Sequence, residues 1–185
     1  MTTFISILRG INVSGHNKLK MEALKELYTH MGFSEVQTYI QSGNIIFQSV
    51  DTNTQLLGKR IALKIFDTFS INVPVLILSV EELKYILQNN PFINDPAKDS
   101  AFIHLTFLSA IPERTDIEKL TSKNYLPDEF KWMDNVIYLY CPNGYGKTRL
   151  TNTFFESKLK ITATTRNIKT ANELLLISTR LSGKL

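Results

Sequence analysis

Val36-Gln37-Thr38-Tyr39-Ile40-Gln41-Ser42-Gly43-Asn44-Ile45-Ile46-Phe47-Gln48 reads as two strands joined by a tight turn. Val36–Ile40 and Ile45–Gln48 are rich in β-branched and aromatic residues, and Gln41-Ser42-Gly43-Asn44 supplies the Gly and Asn that a hairpin needs for positive φ angles. Upstream, Phe4–Leu8 reads as a strand. Met21, Leu24, Leu27, Tyr28 and Met31 recur at helical spacing and predict a helix over Lys20–Met31, which Gly32 ends. Downstream, Leu57, Ile61, Ile65 and Phe69 form an i, i+4 stripe on a second helix. Val73–Leu78 returns as a strand, and Pro74, which has no N–H for a ladder, favours an edge position. The order β-α-β-β-α-β is the split βαβ arrangement of ferredoxin-like domains. A third helix follows directly, because Ser79 and Glu82 have the spacing of a capping box ahead of Leu83, Ile86 and Leu87.

Asn89–Asp99, with Pro91, Pro96 and no periodicity, reads as a linker. Beyond it the order of the first half recurs: a strand over Phe102–Leu108, a helix over Pro112–Leu120, and strands Phe130–Met133 and Val136–Tyr140 flanking the turn Asp134-Asn135. Phe154, Phe155 and Leu159 mark a further helix, and Ile168, Ala171, Leu174 and Leu175 a last one. The expected fold is α+β: two tandem ferredoxin-like (split βαβ) units with mainly antiparallel sheets, over residues 1–90 and 98–185, the second ending in C-terminal helices.

Composition narrows the classes of function. Among the 185 residues 43% are hydrophobic and 21% charged, an ordinary globular balance that excludes disorder and fibrous repeats. No apolar run approaches the ~18–20 residues of a membrane span. Cys141 is the only cysteine, which excludes an intrachain disulfide and a thiolate zinc site. With no secretion signal over the opening residues, a cytoplasmic location is expected. The net charge of +4 is unevenly spread: Lys and Arg balance Asp and Glu through Asp95, whereas Gly144–Leu185 carries 8 basic against 2 acidic residues. Such a bias suits an acidic partner, though a solvated basic helix surface gives the same count.

The expected topology brings Arg9-Gly10-Ile11-Asn12 and Gln41-Ser42-Gly43-Asn44 to one sheet edge, because the first and third strands are antiparallel neighbours. Arg9 offers a planar fork of donors suited to phosphate or carboxylate, while Gln41 and Asn44 offer amides that read polar edges. The competing reading makes the Gly and Asn residues turn formers and has Arg9 bonding nearby carbonyls. Cys141-Pro142-Asn143-Gly144-Tyr145-Gly146-Lys147-Thr148 resembles a G-x-x-x-x-G-K-[ST] phosphate loop with its first Gly replaced. Its strand belongs to an antiparallel hairpin, which argues against that fold, while Lys147 and Arg149 remain candidates for looser anion binding. Thr164-Thr165-Arg166-Asn167 precedes the last helix, with Thr or Asn as its cap and Arg166 available to an anion. His16, His30 and His104 share no metal-ligand spacing, so neither metal nor cofactor is expected. Tyr39, Tyr138 and Tyr140 suit core packing better than base stacking, since the basic and Gly residues of an RNA-binding strand motif are missing.

Leu8-Arg9-Gly10-Ile11-Asn12-Val13, then Asn17, Met21 and Leu24, Gly32-Phe33, Tyr39-Ile40-Gln41-Ser42-Gly43-Asn44 and Thr165-Arg166-Asn167 with Thr170, resembles the bacterial domain-of-unknown-function family numbered sixteen ninety-seven. Ser14 stands where that family often has Gly, and Ile168 where an aromatic is common. The resemblance implies a cytoplasmic α+β protein of two ferredoxin-like units with no established activity. It also implies that Arg9, Asn12, Gln41, Ser42, Gly43, Asn44, Arg166 and Asn167 belong to shared polar motifs.

Three functions are therefore in view. The first is a binding module for a small anionic or phosphate-bearing ligand, held by Arg9, Asn12, Gln41, Ser42 and Asn44 with help from Arg166 and Asn167. The second is nucleic-acid binding through Lys147, Arg149, Lys158, Lys160, Arg166 and Lys169. An enzyme of unrecognised class is the third, since no Ser elbow, carboxylate pair or dinucleotide fingerprint occurs. Sequence leaves the oligomeric state open.

Overall fold

A computed structural model describes residues 1–13 and 17–183. His16 and Ser14, two positions weighed above, lie outside the described residues. The chain divides into two compact units, one of Met1–Tyr85 with Glu173–Leu185 and one of Ile86–Asn172.

The first unit runs β1 (Thr2–Leu8), α1 (Met21–His30), β2 (Ser34–Tyr39), β3 (Asn44–Ser49), α2 (Thr54–Phe69) and β4 (Val75–Ser79), and leads into α3 (Val80–Gln88). Its four strands pair antiparallel in the order β2-β3-β1-β4. Period-two alternation sends Phe4, Ser6 and Leu8 to the helix-covered face, where Phe4 and Leu8 join Leu24, Leu27, Tyr28, Ile45, Phe47, Leu57, Ile61 and Ile65 in the core. Phe4, Tyr28, Phe33 and Phe47 form its aromatic centre, with Phe33 and Phe47 ring centroids 4.5 Å apart. Within it the hydroxyls of Ser6 and Tyr28 share a 2.7 Å hydrogen bond. Burial raises the Tyr28 pKa further above the ordinary phenol range, so this pair is a neutral strut with no access for substrate.

The two edge strands of this sheet differ. In β2 the register slips between Ser34 and Gln37, with Glu35 at φ 50°. On the other side β4 starts one residue after Pro74, and its edge position matches the expectation drawn from that proline. The capping box is present and reciprocal: Ser79 N–H donates to Glu82 Oε2 at 2.7 Å, and Glu82 N–H donates to Ser79 Oγ at 3.1 Å.

The second unit continues with β5 (Ile103–Leu108), α4 (Arg114–Thr121), β6 (Glu129–Met133), β7 (Val136–Tyr140), α5 (Asn152–Leu159) and β8 (Ala163–Asn167), followed by α6 (Ile168–Leu181). Its antiparallel order, β6-β7-β5-β8, repeats that of the first sheet, so the chain is α+β with two tandem split βαβ units. Here the strand β8 corrects the sequence reading, which treated Thr164–Asn167 as the approach to a helix. Ala-Thr-Thr-Arg-Asn has no apolar alternation to announce a strand, and its conformation comes from the ladder to β5. Asn167 also caps α6, accepting from Thr170 N–H at 2.7 Å, as the capping alternative anticipated. Asn89–Asp99 is a run of turns pinned by Phe92, a fully buried side chain of the second unit.

Candidate functional site

The motif residues of the first unit do converge, in a particular way. Leu8 N–H donates to Gly43 O at 2.8 Å and Arg9 N–H donates to Pro74 O at 3.0 Å, so the end of β1 is tied to both neighbouring strands. Asn12 then acts as a bracket: its side-chain amide donates to Leu19 O and to Gln41 O, both at 2.9 Å, and its Oδ1 accepts from Leu19 N–H at 2.8 Å. Asn17 adds a bond from its amide to Gly10 O at 3.0 Å. These contacts lock the loop after β1 against the β2–β3 turn. Asn44 is fully buried and donates to Tyr39 O at 3.1 Å and to the half-buried Ser42 Oγ at 2.9 Å. Gly43 has φ +77° and no room for a side chain.

Of the seven residues singled out from sequence, Asn12, Ser42 and Asn44 thus spend hydrogen-bonding capacity on holding the two loops together. Arg9 is half-buried beside them and Gln41 is exposed on the turn. Arg166 and Asn167 lie in the other unit, on β8. Arg166 is only 9% exposed and donates from Nη1 to Thr165 O at 2.9 Å and to Thr164 Oγ1 at 3.3 Å.

The phosphate-loop resemblance does not survive the backbone. A true loop of that kind wraps its Lys and Ser/Thr into the first turn of a helix. Here Tyr145–Lys147 is one 3-10 turn, Thr148 is extended, and α5 begins only at Asn152 with Thr151 as its cap. Thr148 Oγ1 instead donates to Asp128 Oδ2 at 2.6 Å and accepts from Leu150 N–H at 3.0 Å. Cys141 is buried and its pKa is pushed up to about 11, chiefly by desolvation, which marks an inert thiol.

The second unit also holds a polar cluster on the helix-covered face of its sheet. Thr165 Oγ1 donates to Asn152 Oδ1 at 2.6 Å, so the Thr106 hydroxyl, 2.7 Å away, donates to Thr165 in turn. Tyr145 Oη donates to the same oxygen at 3.1 Å, and its ring stacks on His104 at 5.0 Å. A carbonyl only accepts, so the 3.1 Å contact with Phe102 O places a proton on His104 Nδ1. Burial lowers the His104 pKa. Between the depressed folded value and the unfolded value of about 6.5 the unfolded chain binds more protons. Stability therefore falls as pH drops through that window and is fully retained above it. Denaturant midpoints measured across pH 5–8 are expected to show a component of this sign that disappears in His104→Phe.

Among the described residues no group of three or more His, Cys, Asp or Glu side chains could hold a metal ion. Nor is any described helix long and apolar enough to cross a membrane.

A family model described as a protein of unknown function, DUF1697, matches residues 1–138, about three quarters of the chain. This chain belongs to that family. The DUF1697 match covers the whole β1-to-β3 edge built above and ends within β7. Among solved structures, the conserved bacterial protein SP0830 from Streptococcus pneumoniae is similar, with TM-score 0.68, 25% sequence identity, and coverage of 95% of this chain and 98% of that one. No curated protein sequence matches this chain. This DUF1697 member therefore shares its fold with SP0830, and the family's description assigns no activity.

Proposed function

We propose that this protein is a cytoplasmic binding module for a small anionic, phosphate-bearing ligand, taken up at the edge formed by the loop after β1 and the β2–β3 turn. Arg9 clamps the anion and Gln41 orients it, while Asn12, Ser42 and Asn44 form the brace behind them. What supports the reading is the Asn12 bracket, which holds two loops 29 residues apart in one arrangement and so prepays the ordering of a binding edge. A planar guanidinium on a braced strand end matches the bidentate geometry of phosphate oxygens.

Thermal-shift measurements with nucleotides and phosphorylated metabolites test it. A ligand at a hundred times its Kd adds about 2.7 kcal/mol, which for a chain of this size is a rise of roughly 5–10 °C. Arg9→Ala removes a charge-assisted contact worth ~1.5–3 kcal/mol and is expected to cut that rise by more than half; Gln41→Ala should cut it less. Equal rises in wild type and Arg9→Ala would overturn the assigned edge. A response to oligonucleotides that fades with salt and survives Arg9→Ala would move the assignment to the exposed Lys147, Arg149, Lys158, Lys160 and Lys169.

A further inference from the structure

The second unit contains a cleft of about 540 Å³ between the α4–β6 loop and the segment joining β7 to α5. Its volume lies within the ~300–1,000 Å³ of small-molecule sites. One wall is Asn124–Asp128; the other carries Asn143, Lys147, Arg149 and Leu150. The walls are fixed before any ligand arrives. Thr148 Oγ1 donates across to Asp128 Oδ2, Asp128 N–H donates to Tyr125 O at 3.1 Å, and Leu126 N–H donates to Asn124 Oδ1 at 2.9 Å. The Tyr125 ring is wedged edge-on against Phe130 and Phe154, with centroids 5.6 and 5.8 Å away.

Chemically the cleft is asymmetric. Lys147 and Arg149 are exposed cations from one wall, and the half-buried Asp128 carboxylate comes from the other. Tyr125, which also lines it, has a hydroxyl that is out of contact with solvent and without a hydrogen-bond partner among the described residues. Two cations call for an anion of more than one negative charge, and a carboxylate among them calls for a donor on the same molecule.

We propose that this cleft binds a small phosphorylated polyol, with its phosphate on Lys147 and Arg149 and a hydroxyl donating to Asp128. The site is independent of the Arg9 edge: its residues all belong to the second unit. Ribose 5-phosphate is the probe, titrated calorimetrically into the full chain with inorganic phosphate and ribose as comparisons. Ribose 5-phosphate should bind at least tenfold more tightly than phosphate, and ribose should give no signal. Lys147→Ala and Arg149→Ala, both at exposed positions, are each expected to weaken ribose 5-phosphate at least tenfold, whereas Lys119→Ala on α4 leaves it unchanged. Asp128→Asn keeps an acceptor for Thr148 and should bring ribose 5-phosphate and phosphate toward the same affinity, phosphate itself binding no more weakly than to wild type. Absence of binding, or binding indifferent to Lys147→Ala and Arg149→Ala, overturns the site. Equal affinity for phosphate and ribose 5-phosphate, or no effect of Asp128→Asn, overturns the polyol.

Discussion

Gly43→Ala is expected to destabilise the first unit by about 3 kcal/mol, lowering the unfolding midpoint by roughly 6–12 °C. Two costs add. The backbone at φ +77° lies in the left-handed region, where an L side chain costs ~1–2 kcal/mol. The new methyl would also sit 2.7 Å from Ile11 Cδ1 and 2.8 Å from Leu8 Cβ, closer than carbon atoms approach, and Leu8 is held by its own bond to Gly43 O. Gly10→Ala separates the two costs, since Gly10 has φ +74° but, its chain neighbours aside, no atom of the described residues lies within 4 Å of an added Cβ. It should lose only the backbone part. Equal losses at both positions, in thermal unfolding of the full chain, would show that the crowding at Gly43 is relieved at no cost.

Asn12→Ala should cost about 2–3 kcal/mol, because it removes three hydrogen bonds at once and strips the buried Leu19 of its N–H acceptor. Asn12 also has φ 54°, a conformation Asn tolerates better than Ala. Asn12→Asp retains the acceptor for Leu19 N–H but turns a carboxylate oxygen toward the carbonyls of Leu19 and Gln41, so its midpoint is expected no higher than that of Asn12→Ala. If the bracket organises a binding edge, both variants also lose ligand response beyond what their stability loss explains. Urea midpoints together with ligand-induced shifts measure the two effects on the same samples. An Asn12→Ala midpoint within error of wild type would contradict the bracketing role.

The hairpin was legible because its alternation and its Gly point to one local conformation, and the ladder of Thr38 to Ile45 and Tyr39 to Asn44 realises it, although Ile40 and not Asn44 joins Gly43 at positive φ. The capping box at Ser79 and Glu82 is equally local, and it too is present. Strand β8 was invisible because five mostly polar residues acquire their conformation from β5, some sixty positions earlier. The polar motif residues show a different limit. Their clustering follows from topology, but whether an amide faces a ligand or a backbone carbonyl is decided by partners distant in sequence, as with Asn12 and Gln41. At Lys147-Thr148 the spacing suggested a phosphate loop and the antiparallel hairpin argued against it; the hairpin and a 3-10 turn stand where that motif would begin a helix. The cleft beside it could be anticipated only through Lys147 and Arg149; Asn124, Tyr125 and Asp128 reach it from a loop without periodic pattern.

The slipped register of β2, with Glu35 in a left-handed conformation, bears on how the molecule behaves in company. An outermost strand with a straight row of free amides is a template for fibril growth. A kink there, carrying a carboxylate, breaks the repeat that a second chain would have to match. On the opposite flank Pro74 contributes a carbonyl to Arg9 and has no amide hydrogen to offer a newcomer. The β2 flank of the first sheet therefore resists extension along its length, and the β4 flank at the end where Pro74 precedes it, a safeguard against aggregation written into the backbone.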